Sequence, residues 1–263
     1  MKEQQQHIVL EVNELVIGYQ SKKRVAEIAH NINFSLKKGE LIGLIGSNGI
    51  GKSTLIKTLT KSLSKLSGKI QINGKAIESY DANSLAQQLS VVFSKKTISS
   101  NLTVEEVIAL GRQPYTNWIG SITQQDLNKI EEVLELIQIQ DLRSKKCHEL
   151  SDGQLQKVML ARAFAQDTDL IILDEPTTHL DLYHKVYILK LLKRLAETTQ
   201  KTILFSTHEI NVALSLCDQL IVMKKEGTLF GTPEELTQTS SLNDLFPEDL
   251  IYFDLASKTF KVK

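Results

Sequence analysis

The chain has 263 residues, 41% of them hydrophobic, enough to bury a continuous core without disulfide or metal staples. Lysine plus arginine number 31, as do aspartate plus glutamate, and the net charge of zero excludes a global attraction to nucleic acid or to an anionic membrane surface. The widely separated Cys147 and Cys217 fit buried, reduced thiols in a cytosolic compartment; no apolar run nears the roughly 20 residues of a spanning helix, and residues 1–6 are too polar to open a signal peptide, so a soluble cytoplasmic chain is expected.

In chain order, residues 8–19 and 28–36 read as strands, and 41–45 is a compact apolar strand that runs straight into glycines. Residues 52–63 read as a helix, 68–74 as a turn-bounded strand, and 89–93 as a short apolar run ending in a polar loop. Helical spacing dominates 103–147, where Val104, Val107, Ile108, Ile130, Val133, Leu134 and Ile137 mark apolar faces of an inserted helical lobe. Strand and helix then alternate: 170–173, 183–198, 202–205, 210–216 and 220–223. That alternation predicts parallel strands wrapped by helices, with ligands at the strand C-termini. Residues 242–263 hold two short alternating runs that predict a small hairpin, with no chemistry evident in them.

Gly46, Ser47, Asn48, Gly49, Ile50, Gly51, Lys52 and Ser53 match G-x-x-x-x-G-K-[ST] between an apolar strand and a helix. Glycines let the backbone curl so that successive N–H groups converge on phosphate oxygens, and the following helix start adds a favourable dipole. In this pattern Lys52 reaches the β- and γ-phosphates, Ser53 ligates Mg²⁺ and Thr54 donates to the α-phosphate. Residues 170–173 are an apolar strand that ends in Asp174 and Glu175, the form of a Walker B segment. Asp174 is the candidate to hold Mg²⁺ through its water shell. Glu175 is the candidate base for the attacking water, a role worth about 10²–10⁴ in rate. A plain strand cap before a turn is the alternative for this pair taken alone.

Leu150, Ser151, Asp152, Gly153 and Gln154 stand at a helix start, and Ser151 also reads as an ordinary N-cap. With the two motifs above, this run resembles the L-S-G-G-Q signature of ABC transporter ATPases, with Asp152 at the third place. The resemblance extends over nearly the whole chain. It implies an α/β fold with a P-loop nucleotidase core and a mostly parallel sheet, an N-terminal antiparallel β region and an inserted α-helical subdomain. Residues 1–94 and 168–241 are expected to form the nucleotide-binding core, about 95–167 the helical subdomain with the signature, and 242–263 a small extension. Further site residues follow from the resemblance: Tyr19 stacking on adenine, where packing alone is the alternative; Asp181 in the D-loop; and His208 contacting the γ-phosphate and the hydrolytic water. The ligands implied are ATP and Mg²⁺. The partners implied are a second copy of the chain, whose signature closes over the γ-phosphate in trans, integral membrane permease subunits and, indirectly, a substrate-binding protein, with no nucleic acid. The place implied is the cytoplasmic face of the inner membrane, as a peripheral subunit.

One position departs from the family. Ser94 stands where these ATPases carry a glutamine after a short apolar strand, and its side chain is too short to reach the metal except through water. Either the coupling is altered or the alignment slips by a residue. The stretch Ala109, Leu110, Gly111, Arg112, Gln113, Pro114 and Tyr115 is similar to that of importers of ferric siderophores, haem or cobalamin. The alternatives are an ABC ATPase of another transporter class and a non-transport, ATP-dependent interaction module.

Overall fold

The structure is a computed structural model, and it describes residues 7–22, 24–94, 99–118, 120–224, 226–238, 242, 245, 250–254 and 257–263. Strands β1 (Ile8–Gln20) and β2 (Val25–Lys37) pair antiparallel from Gln20 opposite Val25 to Ile8 opposite Lys37. The second strand starts three residues earlier than its apolar pattern predicts. Residues 25–28 are exposed, so ladder hydrogen bonds rather than burial make them strand.

Strand β3 (Leu41–Ile45) is buried at every position and leads through the glycine loop into α1 (Lys52–Leu59). The helix stops before the predicted residue 63. The Thr60 hydroxyl turns back onto the Ile56 carbonyl at 2.9 Å and Lys61 enters the left-handed region at φ 58°, which together end the ladder. The strand predicted at 68–74 is β4 (Ser67–Ile72), and the Asn73-Gly74 pair, which a tight hairpin turn favours, joins it to the short β5 (Lys75–Ala76) that the sequence reading lacks. Then follow α2 (Ala82–Ala86), β6 (Leu89–Val92), α3 (Val104–Ala109), α4 (Gln124–Ile137) and α5 (Asp152–Ala165). The remaining elements are β7 (Leu170–Leu173), α6 (Leu182–Thr199), β8 (Thr202–Ser206), α7 (Ile210–Leu216), β9 (Gln219–Lys224), β10 (Gly227–Gly231) and α8 (Pro233–Gln238). The chain closes with β11 (Ile251–Asp254) antiparallel to β12 (Thr259–Val262), the hairpin the tail predicts.

Two sheets organise these elements. The antiparallel one has the order β2-β1-β4-β5, and the larger one has the order β10-β9-β3-β8-β7-β6 with only the β10–β9 pair antiparallel. Strand alternation splits the core into two layers. Ile42, Leu44, Leu170, Ile172 and Leu204 face the antiparallel sheet together with Leu55, Ile56 and Leu59 of α1. Leu41, Ile45, Ile171, Leu173, Ile203 and Phe205 face the opposite way, onto α3 to α7. Cys147 and Cys217 are buried free thiols.

Between α3 and α4 the chain is pinned from inside. Arg112 donates from Nε to Asp126 Oδ1 at 2.8 Å and from its guanidinium to the Ala165 carbonyl at 2.7 Å, and it lies 4.1 Å from the centre of the Tyr115 ring. Asp126 Oδ2 accepts in turn from the backbone and hydroxyl of Thr123, the N-cap of α4. One buried ion pair therefore ties the loop after α3, the start of α4 and the end of α5 together.

Candidate functional site

The parallel register brings the C-terminal ends of β3, β7 and β8 side by side, and each strand delivers one part of a cleft of about 380 Å³. From β3 comes the loop 46–51. Gly51 holds φ 116° where a Cβ would stand 2.8 Å from the Ile28 methyl, and a Cβ at Gly46, φ 154°, would stand 2.9 Å from the Met223 carbonyl oxygen. Both positions need glycine on conformation and on space. No side chain caps α1, so its first N–H groups remain available to an anion.

Lys52 is nearly enclosed, and its Nζ donates across the loop to the carbonyls of Gly46 at 2.8 Å and Ser47 at 3.2 Å. Burial pushes its ammonium below the ordinary lysine range, while the carboxylates of Glu175 and Asp174 pull the other way. Asn48, Gly49, Gly51, Lys52, Ser53, Thr54, Glu175 and His208 all line the cleft. Tyr19 stands half exposed at its side, with its hydroxyl 3.3 Å from Thr54 Oγ1.

Asp174 is buried, and its Oδ1 accepts from Ser53 at 3.3 Å and from Ser206 at 2.8 Å. The Ser206 oxygen also accepts the Glu175 N–H at 2.9 Å, so one hydroxyl at the end of β8 fixes both acids. Glu175 adopts φ 50°, a left-handed conformation costly for a residue with a side chain, and its carboxylate is held at both oxygens. Oε1 lies 2.7 Å from His208 Nε2 and Oε2 accepts from Thr178 at 3.1 Å. Ser206 and Thr178 are absent from the sequence reading of the site. Their position beside Asp174 and Glu175 depends on the β7–β8 register, and the only local signal is a hydroxyl two residues before His208.

Ser94 follows β6 and is exposed; the adjacent Val92 carbonyl accepts the Asp174 N–H at 2.8 Å, which sets this strand end beside the acids. Ser151, Asp152, Gly153, Gln154 and Asp181 do not line the cleft. Ser151 caps α5 and Gln154 returns the bond, a capping box, so the N-cap reading and the signature reading both apply to Ser151.

A mostly parallel sheet with a glycine loop, a buried lysine and two carboxylates at neighbouring strand ends defines a P-loop nucleotidase. The family model for ABC transporters matches residues 29–178, more than half of the chain. Over 221 residues the chain is 38% identical to a petrobactin import ATP-binding protein of Bacillus subtilis, covering 83% of this chain and 86% of that one. Over 242 residues it is 36% identical to an iron(3+)-hydroxamate import ATP-binding protein of the same organism, covering 91% and 88%. A dimeric, post-hydrolysis ATP-binding cassette bound to ADP and Pi superimposes with a TM-score of 0.71 at 26% identity, over 85% of this chain and 98% of that one. The chain belongs to the ATP-binding subunits of ABC transporters, and it is an ATPase. Among the described residues no helix is long and apolar enough to cross a membrane.

Proposed function

We propose that this chain powers the import of an iron chelate, a ferric siderophore, from the cytoplasmic face of the membrane that holds its permease. The observation that carries the hydrolytic part is the 2.7 Å contact between Glu175 and His208 at the mouth of the phosphate-loop cleft. It leaves Glu175 oriented to take a proton from water and His208 positioned beside the same point. The cargo reading rests on the import proteins the chain is similar to and on residues 109–115.

ATP would lie with its phosphates on loop 46–51, Lys52 and Thr54, and with its base against Tyr19. Ser53 Oγ and Asp174 offer the hard oxygen donors that suit Mg²⁺, and the ion would neutralise phosphate charge there. Ser94 would approach the ion only through water. The signature residues 151–154 and Asp181 lie outside the cleft, as residues that serve the site of a second copy would. Two chains would therefore sandwich two nucleotides, and closure would carry the helical segment 95–167 with it.

A groove of about 660 Å³ whose lining includes Lys61, Leu85, Val91, Leu110, Pro114 and Arg162 opens between the core and that segment. It suits a permease helix; residues 95–98 lie outside the described residues. A substrate-binding protein would act through the permease.

Two measurements test the reading. Glu175→Gln should retain ATP and accumulate as a dimer in size-exclusion chromatography; a variant that stays monomeric with ATP and hydrolyses at the wild-type rate would contradict it. With its permease in vesicles, the chain's ATPase should rise with a ferric siderophore and its binding protein. Stimulation by haem or cobalamin instead would replace the cargo.

A further inference from the structure

We propose that His184 is a positioning residue that ties Asp181 of the D-loop to the signature motif of its own chain, so that the two enter the partner's site as one unit. This role rests on the sandwich reading above. Asp181 caps α6, and its Oδ1 accepts the His184 backbone N–H at 2.8 Å. An ordinary cap needs nothing more. Here the ring Nδ1 also lies 2.8 Å from the same oxygen, which turns the opposite edge of the imidazole outward from α6.

That edge meets the first turn of α5. A Cβ built on Gly153 would stand 2.9 Å from His184 Cδ2 and 3.5 Å from Nε2, so the imidazole occupies the space a side chain at 153 would need. Gly153 is buried although Ser151 and Asp152 beside it are exposed, and all three atoms that crowd this position belong to His184. The Tyr183 ring stands edge-on to the imidazole at 5.4 Å. The ring is thus held at one edge by the D-loop carboxylate and bears at the other on the signature backbone, across 31 residues of sequence. A shift of Asp181 on contact with a partner would move residue 153, whose N–H lies in the first turn of α5, the part that would face a phosphate.

The pair is half exposed, so its loss should cost a factor of up to about 5 at each site. A two-fold dimer closes two such sites at once, which makes the effect on dimerisation about 25-fold when the sites act independently. The test uses the full chain in a Glu175→Gln background. His184→Ala should raise the dimer dissociation constant at saturating ATP by up to about 25-fold, while nucleotide affinity of the single chain, read with a fluorescent ATP analogue, changes less than 2-fold. His184→Asn places an amide N–H near the Nδ1 position and should restore most of the dimerisation. In the otherwise wild-type chain, His184→Ala should lower the Hill coefficient of hydrolysis towards 1. Equal dimerisation of the His184→Ala and His184 forms would overturn the role, as would a matching loss of single-chain ATP affinity. A Glu175→Gln parent that fails to dimerise would remove the sandwich reading itself, a result distinguishable from either.

Discussion

Arg112→Met is the substitution whose cost the structure sets most directly. Methionine keeps the length and apolar stem of arginine and removes the guanidinium from a site where both ion-pair partners are almost wholly buried. Asp126 then retains its bonds from Thr123 but faces a low-dielectric interior with no counter-charge, and the Ala165 carbonyl loses its 2.7 Å donor. Breaking a buried pair in this way costs about 3–5 kcal/mol, a large share of the 5–15 kcal/mol a domain has. The double variant Arg112→Met/Asp126→Asn removes the stranded charge while Asn still accepts from Thr123, and it should recover at least half of the loss. Urea denaturation followed by far-UV circular dichroism measures both. A single variant that loses less than about 1 kcal/mol, or a double variant no better than the single, would refute the view of this pair as the tie between α3, α4 and α5.

Two further predictions follow from the same geometry. Ser206→Ala removes the hydroxyl that donates to Asp174 and accepts from the Glu175 backbone, so steady-state kinetics should show kcat reduced by about 10-fold, and the stranded Glu175 N–H should lower stability by roughly 1–3 kcal/mol; an unaltered kcat would remove Ser206 from the site. Acid sensitivity should trace in part to Asp126. Burial raises its pKa, but Thr123 and Arg112 outweigh that and hold the carboxyl below the usual aspartate value. The folded pKa is depressed, so the stability it lends is complete above about pH 4, the ordinary aspartate value, and drains away as pH falls through the lower folded value. Asp126→Asn should therefore be less stable at neutral pH and show a shallower decline between pH 4 and pH 2, and an unchanged slope would count against the assignment.

Apart from β10, the strands of the larger sheet were legible because each is short, apolar and bounded by turn residues, and α7 matches its apolar spacing residue for residue. Elements whose stability comes from elsewhere were not. The first turn of β2 is exposed and owes its form to its partner; β10 pairs with β9 through a sequence, GTLFG, that glycine at both ends disguises; and α2 is a five-residue turn set by the Asp81 cap. In the site, the residues proposed to meet a phosphate follow one another along the chain and can be read there. Ser206, Thr178 and His184 act through side chains that meet their partners only after strand register or helix packing is fixed, and a single serine, threonine or histidine in a sequence carries no mark of that.

The division of the apolar interior by the larger sheet has a bearing on how the subunit works as a machine. Helix α1, which carries Lys52 and Ser53, is rooted in the layer shared with the antiparallel sheet, while α5, which begins at the signature, is rooted in the opposite layer. In the proposed sandwich, the grip on a nucleotide and the surface offered to the other copy's nucleotide would therefore have separate foundations, with the strands as the wall between them. A tilt of the second foundation would then open or close the composite site while the first stays set. Drift in the residues of one layer would loosen the hold on ATP, and drift in the other would leave that hold intact but make the two copies deaf to each other.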